Sequence, residues 1–164
     1  MAERNVSFPP IPNGVDYLVS VMQLLGENPS PRDLKYAVLH LQAASEVLLK
    51  ARLQIEHWTL VVKDAAKTRK QHYLDSDFES PTHAETIRRL VEVVGIGISE
   101  ADKKELLRFA RTRNALQHWG LTESAPAVEV RAATVLDFLI RFLDDQLLQG
   151  VHSRDLVTCG ATSV

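Results

Sequence analysis

The sequence holds a single cysteine, Cys159. No disulfide can therefore close within the chain, and such thiol usage fits a reducing compartment. No apolar run approaches the ~20 residues needed to span a bilayer, and the opening MAERNVSFPP has neither the apolar stretch nor the basic start of a secretion signal. The expectation is a cytoplasmic protein with no membrane contact. A large excess of one charge sign is also missing: the net value is −2, which argues neither for nor against a nucleic-acid partner. His40, His57, His72, His83 and His152 lack metal-ligand spacing such as H-E-x-x-H, and no cysteine cluster accompanies them, so they read as structural or surface residues and no metal is expected. Gly95 and Gly97 in VGIGIS follow no strand and precede no Lys-Ser/Thr pair, so neither a dinucleotide nor a P-loop fingerprint is present and no cofactor is implied.

What is present is helical periodicity. At 164 residues with 45% apolar content, the chain can bury one real core but hardly two. We expect one domain over 1–150 and a mobile tail over 151–164. After Pro9, Pro10 and Pro12, a first helix is predicted over 14–25, with Val15, Leu18, Val19, Met22 and Leu25 on its apolar side and Gly26 ending it. Ser30 and Pro31 carry the chemistry of an N-cap and a first turn. The second helix is the clearest element, because Ala37, Leu41, Ala44, Leu48, Ala51, Ile55 and Trp58 follow steps of four and three. Its repeated alanines favour close approach of a neighbouring helix, hence a bundle.

From residue 59 to 81 the pattern decays. Basic Lys63, Lys67, Arg69 and Lys70 precede acidic Asp75, Asp77 and Glu79, which reads as a solvated connector. A third helix is predicted over 82–94. Ser99 begins S-E-A-D and would cap a fourth helix that Gly120 ends. A fifth should run over 125–148, with Val128, Ala132, Val135, Leu139 and Phe142 on one stripe and Leu136, Ile140, Leu143 and Leu147 on another. No alternating strand pattern and no repeat occurs, so the fold class expected is all-α, an up-and-down bundle of about five helices. Trp58 and Trp119 read as core or interface anchors.

The fourth helix contains the chemistry, in RFARTRNALQHWG. Arg111, Arg113, Asn114, Gln117 and His118 fall within a sector of about 160°, mixed with Leu106, Leu107 and Ala110. Asn114 and His118 lie one turn apart and can support each other; Arg113 and His118 flank them and would converge only through long reach or a partner subunit. Arginine offers a forked, permanently charged donor for phosphate, and histidine can transfer protons near neutrality. Together they suit RNA cleavage without a metal, where the 2′-hydroxyl must lose a proton and the leaving oxygen must gain one. A duller explanation is that Arg113 and His118 hydrogen-bond groups between helices, and that Glu46 and Lys50 form an ordinary i,i+4 pair.

The run from Arg113 to His118 resembles the R-N-x-x-x-H signature of HEPN domains, helical bundles found in prokaryotic toxins, abortive-infection proteins and CRISPR-associated nucleases. LHLQAASEVLLKARL is similar to that family's long early helix, with Glu46, Leu49, Lys50 and Ala51 matching Glu-x-x-Leu-Lys-Ala. The likeness covers roughly residues 33–148. It implies a homodimeric, metal-independent endoribonuclease without cofactors, in toxin–antitoxin or phage-defence systems. Arg113 would contact the scissile phosphate, His118 would act in proton transfer or phosphate binding, and Asn114 would orient it. Arg111 could share the phosphate, with Gln117 and Glu46 in support. RNA, tRNA included, would be the substrate, and an antitoxin or defence-complex protein the partner. As the alternative, the resemblance permits a non-catalytic dimerisation or interaction module docking a nucleotidyltransferase or a defence ATPase.

Overall fold

The computed structural model describes residues 4–149, and every described element is helical. The expected tail, with Cys159 and His152, lies outside those residues. Six α-helices follow in order: α1 (Pro10–Leu24), α2 (Pro31–Glu56), α3 (Lys70–Leu74), α4 (His83–Arg89), α5 (Glu100–His118) and α6 (Ala125–Phe142). A 3₁₀ turn at Trp58–Val61 follows α2, and π-helical turns at Leu90–Val94 and Leu143–Leu148 prolong α4 and α6. The expected all-α fold is thus observed, with the short α3 added inside the connector. No described helix is long and apolar enough to cross a membrane.

Helix α2 is the axis of the bundle. Its 26 residues span about 39 Å at 1.5 Å per residue. The capping box that opens it is formed by Ser30 and Asp33: Asp33 N–H donates to Ser30 Oγ (3.1 Å), and Ser30 N–H donates to Asp33 Oδ2 (2.9 Å). Ala37, Leu41, Ala44, Leu48 and Ala51 are buried as the spacing predicts, with Leu34, Val38, Leu49 and Leu53; the last two of the predicted series, Ile55 and Trp58, are only half-buried, and Trp58 lies past the helix end at Glu56. An element apolar over so much of its circumference must be covered by several neighbours. Helices α1, α4, α5 and α6 all pack on it.

The directions of those neighbours follow from the pairs that meet. Gly14 of α1 abuts Leu48 and Ser20 bonds His40, so α1 runs antiparallel to α2. Arg113 of α5 meets Glu46 while Leu116 faces Lys35, again antiparallel. Arg52 reaches Gln146 at one end and Leu34 lies by Val128 at the other, so α6 runs parallel to α2. The result is the up-and-down alternation expected.

Two predicted faces are corrected. Helix α1 begins at Pro10, four residues before the expected start, because proline at a helix's first turn lacks only an N–H that would have no partner. It buries Gly14, Leu18 and Val21, while Val19 and Met22 are exposed. Gly14 decides this: a Cβ there would stand 2.5 Å from Leu48 Cγ, so only glycine lets α1 sit so close to α2 on that side. In α6 the first stripe is buried throughout, but Ile140 of the second is exposed and Phe138 is buried in its stead.

The connector folds back on itself. Lys63 N–H donates to the Glu79 carbonyl (2.7 Å), and Lys63 Nζ pairs with the Glu79 carboxylate (2.6 Å), so charges separated in sequence meet in space. The rings of Trp58, Tyr73 and Phe78 pack in succession, tilted to one another, with centroids 5.4 and 5.5 Å apart. Arg89 of α4 fastens this segment, donating to the carbonyls of Leu60 (2.8 Å), Val62 (2.7 Å) and Lys63 (3.0 Å) and to Glu85 (2.8 Å).

Candidate functional site

Both ends of α5 are set by local chemistry. Ser99 Oγ accepts from Asp102 N–H (3.0 Å), the cap its S-E-A-D pattern predicts. At the far end Trp119 and Gly120 N–H both return to the Ala115 carbonyl, and Gly120 takes φ 94°, a left-handed conformation that favours glycine. Leu106, Phe109 and Thr112 are buried and fix the rotation of the helix.

That rotation divides the polar constellation. Arg113 turns inward: Nη2 meets Glu46 Oε1 at 3.2 Å and Nη1 donates to Gln117 Oε1 at 2.7 Å. Five residues of helix place His118 about 140° away, and it is exposed, as are Asn114 and Arg111. The expected support of His118 by Asn114 is corrected: among the described residues no hydrogen bond joins them, because their side chains stand free on the outer face. Among the described residues the ring beside His118 is Trp119, at 5.6 Å between centroids. Trp119 is 79% exposed, so it is no core anchor. Trp58, half-buried against Tyr73, is an anchor of the connector.

Glu46 gathers the inner half of the site. One carboxylate oxygen takes Arg113 and Gln42 Nε2 (3.4 Å), and the other takes Lys50 Nζ (3.1 Å), which also donates to Ser80 Oγ (3.0 Å). Burial works to raise the pKa of Glu46, but the charge and hydrogen bond of Lys50 outweigh it, and the net direction is downward. The carboxylate therefore stays ionised and holds Arg113 by charge as well as by geometry.

Sequence reasoning set His83 aside as structural, yet it joins this cluster. Its imidazole, from the first turn of α4, sits close enough to feel the charges of Glu46, Lys50 and Arg113. Burial pulls its pKa down to about 4, opposed by Glu46 and reinforced by the two cations. Both ring nitrogens are buried and neither has a hydrogen-bond partner among the described residues. Nothing in the sequence links His83 to Glu46; only the packing of α4 against α2 and α5 does.

Glu46, Arg113 and Gln117 open onto a cleft of ≈ 680 Å³ between α1, α2 and α5. Among the described residues no group of three or more His, Cys, Asp or Glu side chains could hold a metal ion. The structure thus brings Glu46, Arg113 and Gln117 together and leaves Arg111, Asn114 and His118 at the surface. No family model, no curated protein and no solved structure matches the chain.

Proposed function

We propose that this chain is a HEPN-type, metal-independent endoribonuclease that works as a homodimer, in a toxin–antitoxin or phage-defence setting. One observation carries the reading. The side chains of His118, Asn114 and Arg111 make no hydrogen bond or ion pair among the described residues, although they share a helix with a firmly held Arg113. Structural polar groups between helices satisfy one another; exposed, unpartnered ones beside a bare tryptophan suit a surface completed by a second copy.

In that assembly Arg113, oriented by Glu46 and Gln117, stabilises the negative charge growing on phosphorus. His118 moves the proton between the 2′-hydroxyl and the leaving oxygen, the partner's motif completing the pair across the two-fold axis. The bond formed is from the 2′-oxygen to phosphorus and the bond broken is from phosphorus to the 5′-oxygen, leaving a 2′,3′-cyclic phosphate and a 5′-hydroxyl. Incubation with total RNA and tRNA in EDTA tests this. Wild type should cleave with cyclic-phosphate ends, and the Arg113→Ala/His118→Ala double variant should lose cleavage at least 10²-fold, the lower end of what a positioned acid–base group contributes. Undiminished cleavage by the double variant refutes the assignment.

A second reading draws on the Glu46–Arg113 pair itself, which already compensates the arginine's charge. It makes the chain a non-catalytic docking module for a nucleotidyltransferase or defence ATPase. A dimer without cleavage that binds such a partner tightly would favour it.

A further inference from the structure

A second cleft, of ≈ 530 Å³, lies further along α2, between its later turns, the start of α1 and the connector. Val47, Val61, Tyr73, Leu74 and Phe78 give it apolar walls. Gln54 Nε2 donates to the Tyr73 hydroxyl and fixes that ring in the wall. Phe8 and Leu74, which also line the cleft, are 64% and 61% exposed. Two large apolar side chains left in water around one concavity mark a binding surface rather than scattered residues. Ser76, in the same lining, takes φ 57°, a left-handed conformation uncommon without glycine. Strain of this kind gathers at ligand sites.

Among the described residues of the lining one side chain is charged, Lys50. Its Nζ donates to Glu46 Oε2 (3.1 Å) and to Ser80 Oγ (3.0 Å). An ammonium has three donors, so one is left for an occupant. A single cation set in apolar walls matches a single negative charge on an apolar body. We propose that this cleft binds a small monocarboxylate, its carboxylate on Lys50 and its apolar body against Tyr73, Phe78 and Leu74. The volume lies within the range of ordinary ligand pockets. Lys50 also ties the cleft to the neighbouring site, because the occupant and Glu46 share one ammonium and Glu46 holds Arg113. The inference is independent of the ribonuclease reading, and its test requires no cleavage.

Calorimetric titration of the full-length chain at pH 7.5 tests the site, with cinnamate and octanoate as probes and their neutral amides as controls. Both acids should bind saturably at one site, and each amide roughly tenfold more weakly, the effect of losing one charge-assisted hydrogen bond. Tighter binding of cinnamate identifies an aryl body and tighter binding of octanoate an alkyl one; either order upholds the site. Lys50→Met, which keeps the apolar stem, should weaken the acids about tenfold and leave the amides near wild type. Lys104→Met, the same change at an exposed position outside the cleft, should alter neither. Leu74→Asp places a like charge at the exposed rim without touching the core, and should weaken the acids more than the amides. Glu46→Gln removes the competitor for Lys50 and should tighten binding of the acids several-fold, a gain that a damaged fold would not produce. Absence of saturable binding, equal affinity for acid and amide, or equal effects of the two lysine variants overturns the site. Unchanged affinity in Leu74→Asp overturns its location, and no gain in Glu46→Gln overturns the sharing of Lys50.

Discussion

His83 couples the stability of the fold to pH, and the size of the effect can be worked out. In the unfolded chain its imidazole titrates near the ordinary value of 6.5, whereas in the folded protein burial holds it near 4. Above pH 6.5 both states carry the neutral ring, and titration does not affect stability. As pH falls below 6.5 the unfolded chain takes up a proton that the folded chain refuses, so stability is lost until the folded ring protonates near 4. The full gap of 2.5 pH units corresponds to about 3 kcal/mol, of which about 2 kcal/mol has gone by pH 5. The groups facing the ring are Glu46 and Lys50 from α2 and Arg113 from α5; the carboxylate moderates the effect and the cations deepen it. Urea unfolding at pH 7.5 and 5.0, for wild type and His83→Phe, isolates the contribution, since the other histidines are common to both. Wild type should lose about 2 kcal/mol more than the variant over that interval. At pH 7.5 the variant should equal or exceed wild type, because phenylalanine removes two buried nitrogens that have no partner. Equal losses in the two proteins would refute a buried, neutral His83.

Gly14→Ala should destabilise the protein by about 1–2 kcal/mol in the same assay. A helix-propensity gain of up to about 1 kcal/mol is outweighed by forcing a methyl group into Leu48, which is fully buried and cannot swing away. Arg89→Ala should cost about 2–3 kcal/mol and make the peptide bonds near Leu60–Lys63 protease-sensitive, since three carbonyls lose a shared cationic donor. Arg89→Lys should recover little, because an ammonium cannot present the same planar fork. The Arg113/His118 cleavage assay completes the set, and a stability control keeps loss of fold apart from loss of function.

Local chemistry made the long helices legible, though not the short α3. Ser30 with Asp33, Ser99 with Asp102, and Gly120 set their ends through hydrogen bonds within a few residues, and the four–three spacing of α2 marked its buried side. The R-N-x-x-x-H resemblance pointed to Arg113 and His118, and the Glu-x-x-Leu-Lys-Ala match pointed to Glu46. Which side of each helix faces its neighbour was decided only by packing. Gly14 turned α1 away from its more apolar stripe because close approach to Leu48 requires the absence of a side chain. The separation of Arg113, held against Glu46, from His118, exposed with Trp119, depends on the rotation of α5 that Phe109 and Leu106 impose from the core. The burial of His83 beside the Glu46 cluster rests on residues far apart in sequence. Their meeting expresses no periodicity or motif; it follows from how four helices share the surface of α2.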